Sequence, residues 1–179
     1  GLEEANFEIE EDGVKQELSF FTAEITPVTV LLLLDASTSI RPSMEGIKEA
    51  AINFVSKLWE GDKAIIADFN ERIRFSTHFT GDIDRLIGSI QSLYPSGWTA
   101  LYDSVLISLD KVSEAEGRKA LLVFTDGDDS RSQGLGSEAS RDDVVEGSRF
   151  YEVTIYSIGF RGNRGAGGGG VNKGFLTKI

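Results

Sequence analysis

Residues 28–35, Val-Thr-Val-Leu-Leu-Leu-Leu-Asp, form a continuous apolar run that ends on a carboxylate. A run this short and this apolar predicts a central strand covered on both faces, as in a parallel sheet. Downstream the pattern alternates. Pro42 suits an early helical position, and Met44, Ile47, Ala51, Phe54, Val55 and Leu58 follow at helical spacing. Residues 63–70 (KAIIADFN) predict a strand, and residues 72–79 (RIRFSTHF) its antiparallel edge neighbour after a turn at Asn70-Glu71, with His78 on that edge. Residues 82–93 and 99–112 predict helices, through Ile83, Leu86, Ile87 and Ile90 and through Leu101, Val105, Leu106 and Leu109. Residues 119–126 (KALLVFTD) predict a second buried strand, 140–150 a helix, and 152–160 (EVTIYSIGF) a third buried strand.

Strands separated by helices imply an α/β, doubly wound, mostly parallel sheet with one antiparallel edge strand and helices on both faces. Ligands of such sheets collect beyond the carboxyl ends of the strands, where the winding reverses. On the amino-terminal side, residues 7–21 (FEIEEDGVKQELSFF) alternate apolar and polar around Asp12-Gly13, a hairpin signal. The expected division is an N-terminal β-hairpin extension over 1–26 and a main domain over 27–179.

Bulk properties bound the function. The 179 residues and 40% hydrophobic content suffice for one domain, and the absence of cysteine removes disulfides and thiolate metal sites. The net charge is -11, and residues 1–25 hold eight acidic side chains against Lys15 alone. So acidic a surface repels phosphate backbones, which argues against a nucleic-acid partner. No apolar run approaches the roughly 20 residues of a membrane span. The chain opens on Gly1 without a signal-peptide pattern, and is expected to be a segment of a larger protein.

Both buried strands run into aspartate, the first into Asp35-Ala36-Ser37-Thr38-Ser39 and the second into Thr125-Asp126-Gly127-Asp128-Asp129-Ser130. Carboxylates at the ends of buried strands are costly unless something pairs with them. Neighbouring Ser37 and Ser39 add hydroxyl oxygens, and an all-oxygen set suits Mg²⁺, Mn²⁺ or Ca²⁺ rather than zinc.

These segments resemble the von Willebrand factor type A (vWA) family. DASTS at 35–39 matches the D-x-S-x-S signature of its metal-ion-dependent adhesion site (MIDAS), SGWTALYDSV at 96–105 is similar to the segment with the site's threonine, and LLVFTDGDD at 121–129 is similar to its strand-end T-D-G element. The resemblance covers 28–160, in order and each in its expected setting. It implies a metal site of Asp35, Ser37, Ser39, Thr99 and Asp126, with the hydroxyls near or on the metal and the two aspartates contacting it directly or through water. A partner protein's Asp or Glu would take the remaining position. The hairpin segment and the glycine-rich stretch at 161–170 are similar to those of a bacterial vWA-related group, which implies an extracytoplasmic, secreted or envelope-associated adhesion domain. Thr38 departs from the glycine many members carry, and a last strand and closing helix have no counterpart after Lys173, so the sheet edge beside 152–160 is expected to be uncovered.

Blander readings compete at each position. Either aspartate alone would pass for a loop or helix cap. A serine hydrolase needs a base, and the one histidine is His78. A haloacid-dehalogenase-type phosphatase needs a second carboxylate two residues after the first, where Ser37 stands. An EF-hand reading of Asp126 fails at Arg131 and Ser137. The 161–170 stretch lacks a phosphate loop's Gly-Lys-Ser/Thr ending, and reads as a linker. Trp98 is either a loop anchor or a partner contact, and Asp128 and Asp129 are either partner-binding rim residues or solvated loop. The expectation is a non-enzymatic, divalent-cation-dependent protein-binding domain. The alternative is a scaffold module whose metal site serves intramolecular docking.

Overall fold

The computed structural model describes residues 3–18, 26–130 and 134–161. The N-terminal hairpin pairs β1 (Ile9–Glu11) with β2 (Val14–Gln16). Asp12 and Gly13 at its tip have φ of 52° and 78°, the left-handed pair a two-residue turn of this hand requires.

The 28–35 run forms β3 (Val28–Asp35) at the centre of a five-stranded sheet. It pairs in parallel with β4 (Lys63–Phe69) on one side and with β6 (Arg118–Thr125) on the other. Beyond β4 lies the antiparallel β5 (Ile73–Phe75), and beyond β6 the parallel β7 (Thr154–Gly159), giving the order β5-β4-β3-β6-β7. The chain leaves β3 toward β4 and returns to the far side at β6, so the winding reverses between the carboxyl ends of β3 and β6.

Residues of β3 alternate between two cores. Leu32 and Leu34 pack with Ile47 and Ala51 of α1 (Met44–Val55) and with Leu86 and Ile90 of α2 (Ile83–Gln91). Leu31 and Leu33 pack with Leu101, Val105 and Leu109 of α3 (Leu101–Ser113) and with Val144 of α4 (Arg141–Phe150). All four leucines are fully buried. Asp82 caps α2 by accepting the Arg85 N–H at 3.1 Å, and Ser140 and Asp143 form a reciprocal capping box on α4.

Several boundaries differ from expectation. A 3-10 turn over Thr38–Ser43 precedes α1 and contains Pro42, and α1 ends at Val55, leaving Leu58 in the following turn. The expected 72–79 edge strand shortens to β5. The Thr77 hydroxyl takes the Ile66 N–H at 2.9 Å in place of a backbone carbonyl, and regular pairing stops. His78 therefore lies after the strand, exposed, rather than on it. Helix α3 starts at Leu101, so Thr99 precedes it.

The third strand is not buried. Tyr156 and Ile158 of β7 are 58% and 37% exposed, because β7 has a neighbour on one side alone among the described residues. A groove of about 750 Å³ opens along this edge between Val28, Phe54, Leu122, Tyr156 and Ile158. The glycine-rich stretch beyond Arg161 and the expected missing strand and helix lie outside the described residues.

The doubly covered position of β3 sets the first prediction. Leu32→Ala leaves a cavity between three strands and two helices, and is expected to lower the unfolding free energy by about 2–5 kcal/mol. Ile107→Ala on the exposed face of α3, 46% exposed, is expected to change it by less than about 1 kcal/mol. Urea unfolding of both variants checks the contrast.

Candidate functional site

Asp35 closes β3 and Asp126 follows β6 directly, so parallel pairing sets the two acids on adjacent strand ends at the switch point. Both have 0% exposure. The Asp35 carboxylate accepts the Ser37 N–H at 2.9 Å on one oxygen and the Thr125 hydroxyl at 2.7 Å on the other. Thr125 Oγ1 in turn accepts the Gly127 N–H at 3.1 Å, and Gly127 has φ of 80°, a conformation that favours glycine. The Asp126 carboxylate accepts the Asp128 N–H at 3.1 Å.

Ser37 is buried and Ser39 half-buried, and their hydroxyl oxygens stand 3.0 Å apart. Thr99 is also buried, at 4% exposure. The loop before it is sewn to the Asp35 loop by Ser96 N–H to Ala36 O at 2.8 Å and Thr38 N–H to Gly97 O at 3.0 Å. On its other side the Thr99 N–H donates to Ser130 Oγ at 3.1 Å, and the Ser130 N–H donates to the Thr99 carbonyl at 2.9 Å. These bonds bring the loops bearing Asp35, Ser37 and Ser39, Thr99, and Asp126 together over the β3 and β6 ends.

Burial dominates the electrostatics. Loss of water pushes the Asp35 carboxyl up from 3.8 to about 6, with the Asp126 charge adding to the rise. Hydrogen bonds from Ser37 and Thr125 oppose it and do not cancel it. Among the described residues no three His, Cys, Asp or Glu side chains form a metal-holding group. A cation here would draw on hydroxyls beside two carboxylates. Such an all-oxygen set fits a hard divalent cation.

The partner-rim candidates separate. Trp98 is 47% exposed and its N–H donates to Glu71 Oε1 at 3.2 Å, so its backbone anchors the loop and its ring faces solvent. Asp128 is half-buried beside Asp126. Asp129 is half-buried and hydrogen-bonded. Its carboxylate accepts the Leu101 N–H at 2.8 Å at the start of α3, the Ser137 N–H at 3.0 Å and the Ser137 hydroxyl at 2.6 Å. Donors stranded at a helix start attract a nearby carboxylate, and the Thr99–Ser130 pairing delivers this one. Asp103 returns the tie by accepting the Glu138 and Ala139 N–H groups at 3.0 and 2.9 Å.

Sequence reasoning passed over Thr125 and Ser130 as functional groups. Thr125 carried a signal, since a hydroxyl directly before a strand-end aspartate abuts the neighbouring strand's terminus. Ser130 carried none, because its partner lies 31 residues away.

Residues 30–128 match the von Willebrand factor type A domain family. The fold is similar to that of the conserved hypothetical protein BatB from Bacteroides thetaiotaomicron, with 18% identity, a TM-score of 0.67 and 83% coverage of each chain. It is similar to an aerotolerance-related membrane protein from Bacteroides fragilis, at 17% identity and a TM-score of 0.63 over 83% of this chain and 84% of that one. It is also similar to the vWF domain of the type V pili tip protein Mfa5 from Porphyromonas gingivalis, at 20% identity and a TM-score of 0.55 over 59% of this chain. This chain spans 20% and 39% of the two Mfa5 structures it matches. No curated protein matches it.

Two predictions follow from the geometry. Asp129→Ala and Asp129→Asn are both expected to destabilise the fold by about 1–3 kcal/mol, since the one removes the acceptors and the other turns an amide donor on N–H groups. A chemical denaturation midpoint unchanged in both would return Asp129 to the rim. The raised pKa of Asp35 gives the second. A folded carboxyl above its unfolded value binds more protons, so its penalty is absent below about pH 4, grows as pH rises toward 6 and is constant above. In chelator, the stability of Asp35→Asn relative to wild type is expected to rise by about 2 kcal/mol between pH 4 and 7. Urea midpoints across that range check it, and a pH-independent difference refutes it.

Proposed function

The chain belongs to the von Willebrand factor type A family, and on that premise we propose that it is a non-enzymatic domain that binds a protein partner through a divalent cation. Asp35, Ser37, Ser39, Thr99 and Asp126 would hold the ion, Mg²⁺ or, in its place, Mn²⁺ or Ca²⁺. The observation that carries this reading is the pair of fully buried carboxylates on adjacent strand ends, with buried hydroxyls on the loops sewn to them. Two like charges without solvent raise each other's cost of ionisation, and a divalent cation offsets that cost.

When bound, the ion supplies a Lewis-acidic point that accepts an incoming carboxylate. The protein's part is to hold oxygens without saturating that charge. Two of the five side chains are carboxylates whose charges balance those of the ion, and the three neutral hydroxyls add none, so a partner Asp or Glu would meet the ion without a net negative site opposing it. Thr125 and the Ser37 N–H fix the Asp35 carboxylate through both oxygens, which pre-orients it at no further entropy cost on loading.

The shared fold with the pilus-tip vWF domain supports an adhesive role, and with the aerotolerance-related membrane protein it supports an extracytoplasmic setting. Among the described residues no helix is long and apolar enough to cross a membrane.

Metal linkage provides the test. With a dissociation constant of about 0.1–1 mM, 10 mM Mg²⁺ adds roughly 1.4–2.7 kcal/mol to the folded state by mass action. For a domain of this size that corresponds to a melting rise of about 3–10 °C. Asp126→Ala is expected to lose most of the rise and, relieved of the repulsion on Asp35, to melt no lower than wild type in EDTA. Differential scanning calorimetry of both proteins against Mg²⁺ decides it. A wild-type curve indifferent to the ion, or an equal rise in the variant, refutes the site.

A further inference from the structure

Next to the buried donors, the same loop turns two aromatic rings outward. Tyr94 is 72% exposed and Trp98 is 47% exposed, four residues apart on the segment that delivers Thr99. Two large aromatics exposed together on one short segment, beside a buried oxygen cluster, mark a contact surface.

The segment is rigid. Ser96 and Gly97 bond to Ala36 and Thr38, Asn70 Nδ2 donates to Ser96 Oγ at 3.2 Å, and Glu71 holds the Trp98 N–H. Gly97 has φ of 72°, and a Cβ there would stand 2.8 Å from Glu71 Oε1, so the turn closes tightly on this acid. Arg41, from the 3-10 turn after Ser39, reaches the Pro95 carbonyl at 3.2 Å and lies 6.0 Å from the Tyr94 ring centroid. It ties the far end of the segment back to the Asp35 loop. Its guanidinium has five donors, and it is exposed.

We infer that Tyr94, Trp98 and Arg41 form the specificity surface beside the cation, and that they select a partner segment in which the coordinating carboxylate is flanked by an aromatic or large aliphatic residue. This inference rests on the cation reading above. Aromatic side chains, with two torsions each and an anchored backbone, give contact area at little entropic cost. The geometry suits a short extended segment, whose carboxylate enters over Ser37 and Ser39 while its neighbouring side chain lies against Trp98 or Tyr94. Spare Arg41 donors would favour a second acid in the same segment.

The probe is an array of immobilised heptapeptides with a central Asp, in which each flanking position carries Gly, Leu, Phe, Tyr, Lys or Glu. Wild type is expected to be retained in Mg²⁺ and released by EDTA, and to prefer Phe, Tyr or Leu flanks over Gly by at least about tenfold. Trp98→Ala and Tyr94→Ala are expected to flatten that preference, Trp98→Phe to keep most of it, and Arg41→Ala to weaken the response to Glu flanks. Calorimetric Mg²⁺ titration of each protein reports separately on the cation site and is expected to match wild type. A wild type that takes up Mg²⁺ yet shows no flank preference, or no retention at all, overturns the surface alone. So do alanine variants that keep the wild-type preference. A wild type that takes up no Mg²⁺ overturns the cation reading and this one with it.

Discussion

Two carboxylates without solvent stand on neighbouring strands at the middle of the sheet, and the local structure around them is organised by that constraint. Asp35 cannot be moved outward, because the strand that carries it has partners on both edges and helices on both faces. Its oxygens must therefore be satisfied where they are. The Ser37 N–H takes one and the Thr125 hydroxyl takes the other. Even so, burial and the nearby Asp126 leave its carboxyl with a pKa near 6. Hydrogen bonding accordingly accounts for the conformation of Asp35 but leaves much of the charge penalty standing, a penalty that the cation proposed above would offset.

The same constraint explains why the loops form a closed set. A loop over buried carboxylates must shield them from water, and the backbone it buries in doing so needs internal partners. The segment 96–100 finds them on both sides, in Ala36 and Thr38, in Asn70 and in Ser130. Placing Ser130 against Thr99 brings the adjacent Asp129 to the bare N–H groups of α3. From there Ser137 and Asp103 carry the connection to the residues before α4. Local electrostatics at the strand ends is thus continuous with the capping of α3 and with the turn that leads into α4.

Much of this was legible in the residues because it is local. The run 28–35 could only be a doubly covered strand, and a doubly covered strand ending in aspartate places that aspartate at the sheet's carboxyl edge. The hairpin tip followed from Asp12-Gly13 for the same reason, as a choice made within two residues. What sequence could not show depends on distant partners. Residues 152–160 have the apolar pattern of a buried strand, yet Tyr156 and Ile158 are exposed; the uncovered edge expected there came from the family resemblance, and the strand's own pattern carries no sign of it. Asp129 has the composition of a solvated acid and became a helix cap only through a fold-determined meeting with Leu101. His78 fell off its strand because one threonine hydroxyl outcompeted a backbone acceptor.

The segment from Tyr94 to Thr99 joins the two levels. Its backbone must be immobile to keep Thr99 buried at the strand ends, and that immobility is imposed by Ala36, Thr38, Asn70 and Glu71. A backbone fixed for one side chain fixes the point from which each of its neighbours projects. Trp98, adjacent to Thr99 on an irregular stretch, therefore has its backbone held in one place, and Tyr94 lies at the other end beside Arg41. Rigidity required by the buried oxygens supplies a preformed exposed surface with no additional ordering. A recognition surface built elsewhere on the domain would need its own scaffold, whereas this one shares the hydrogen bonds that keep the carboxylate site closed.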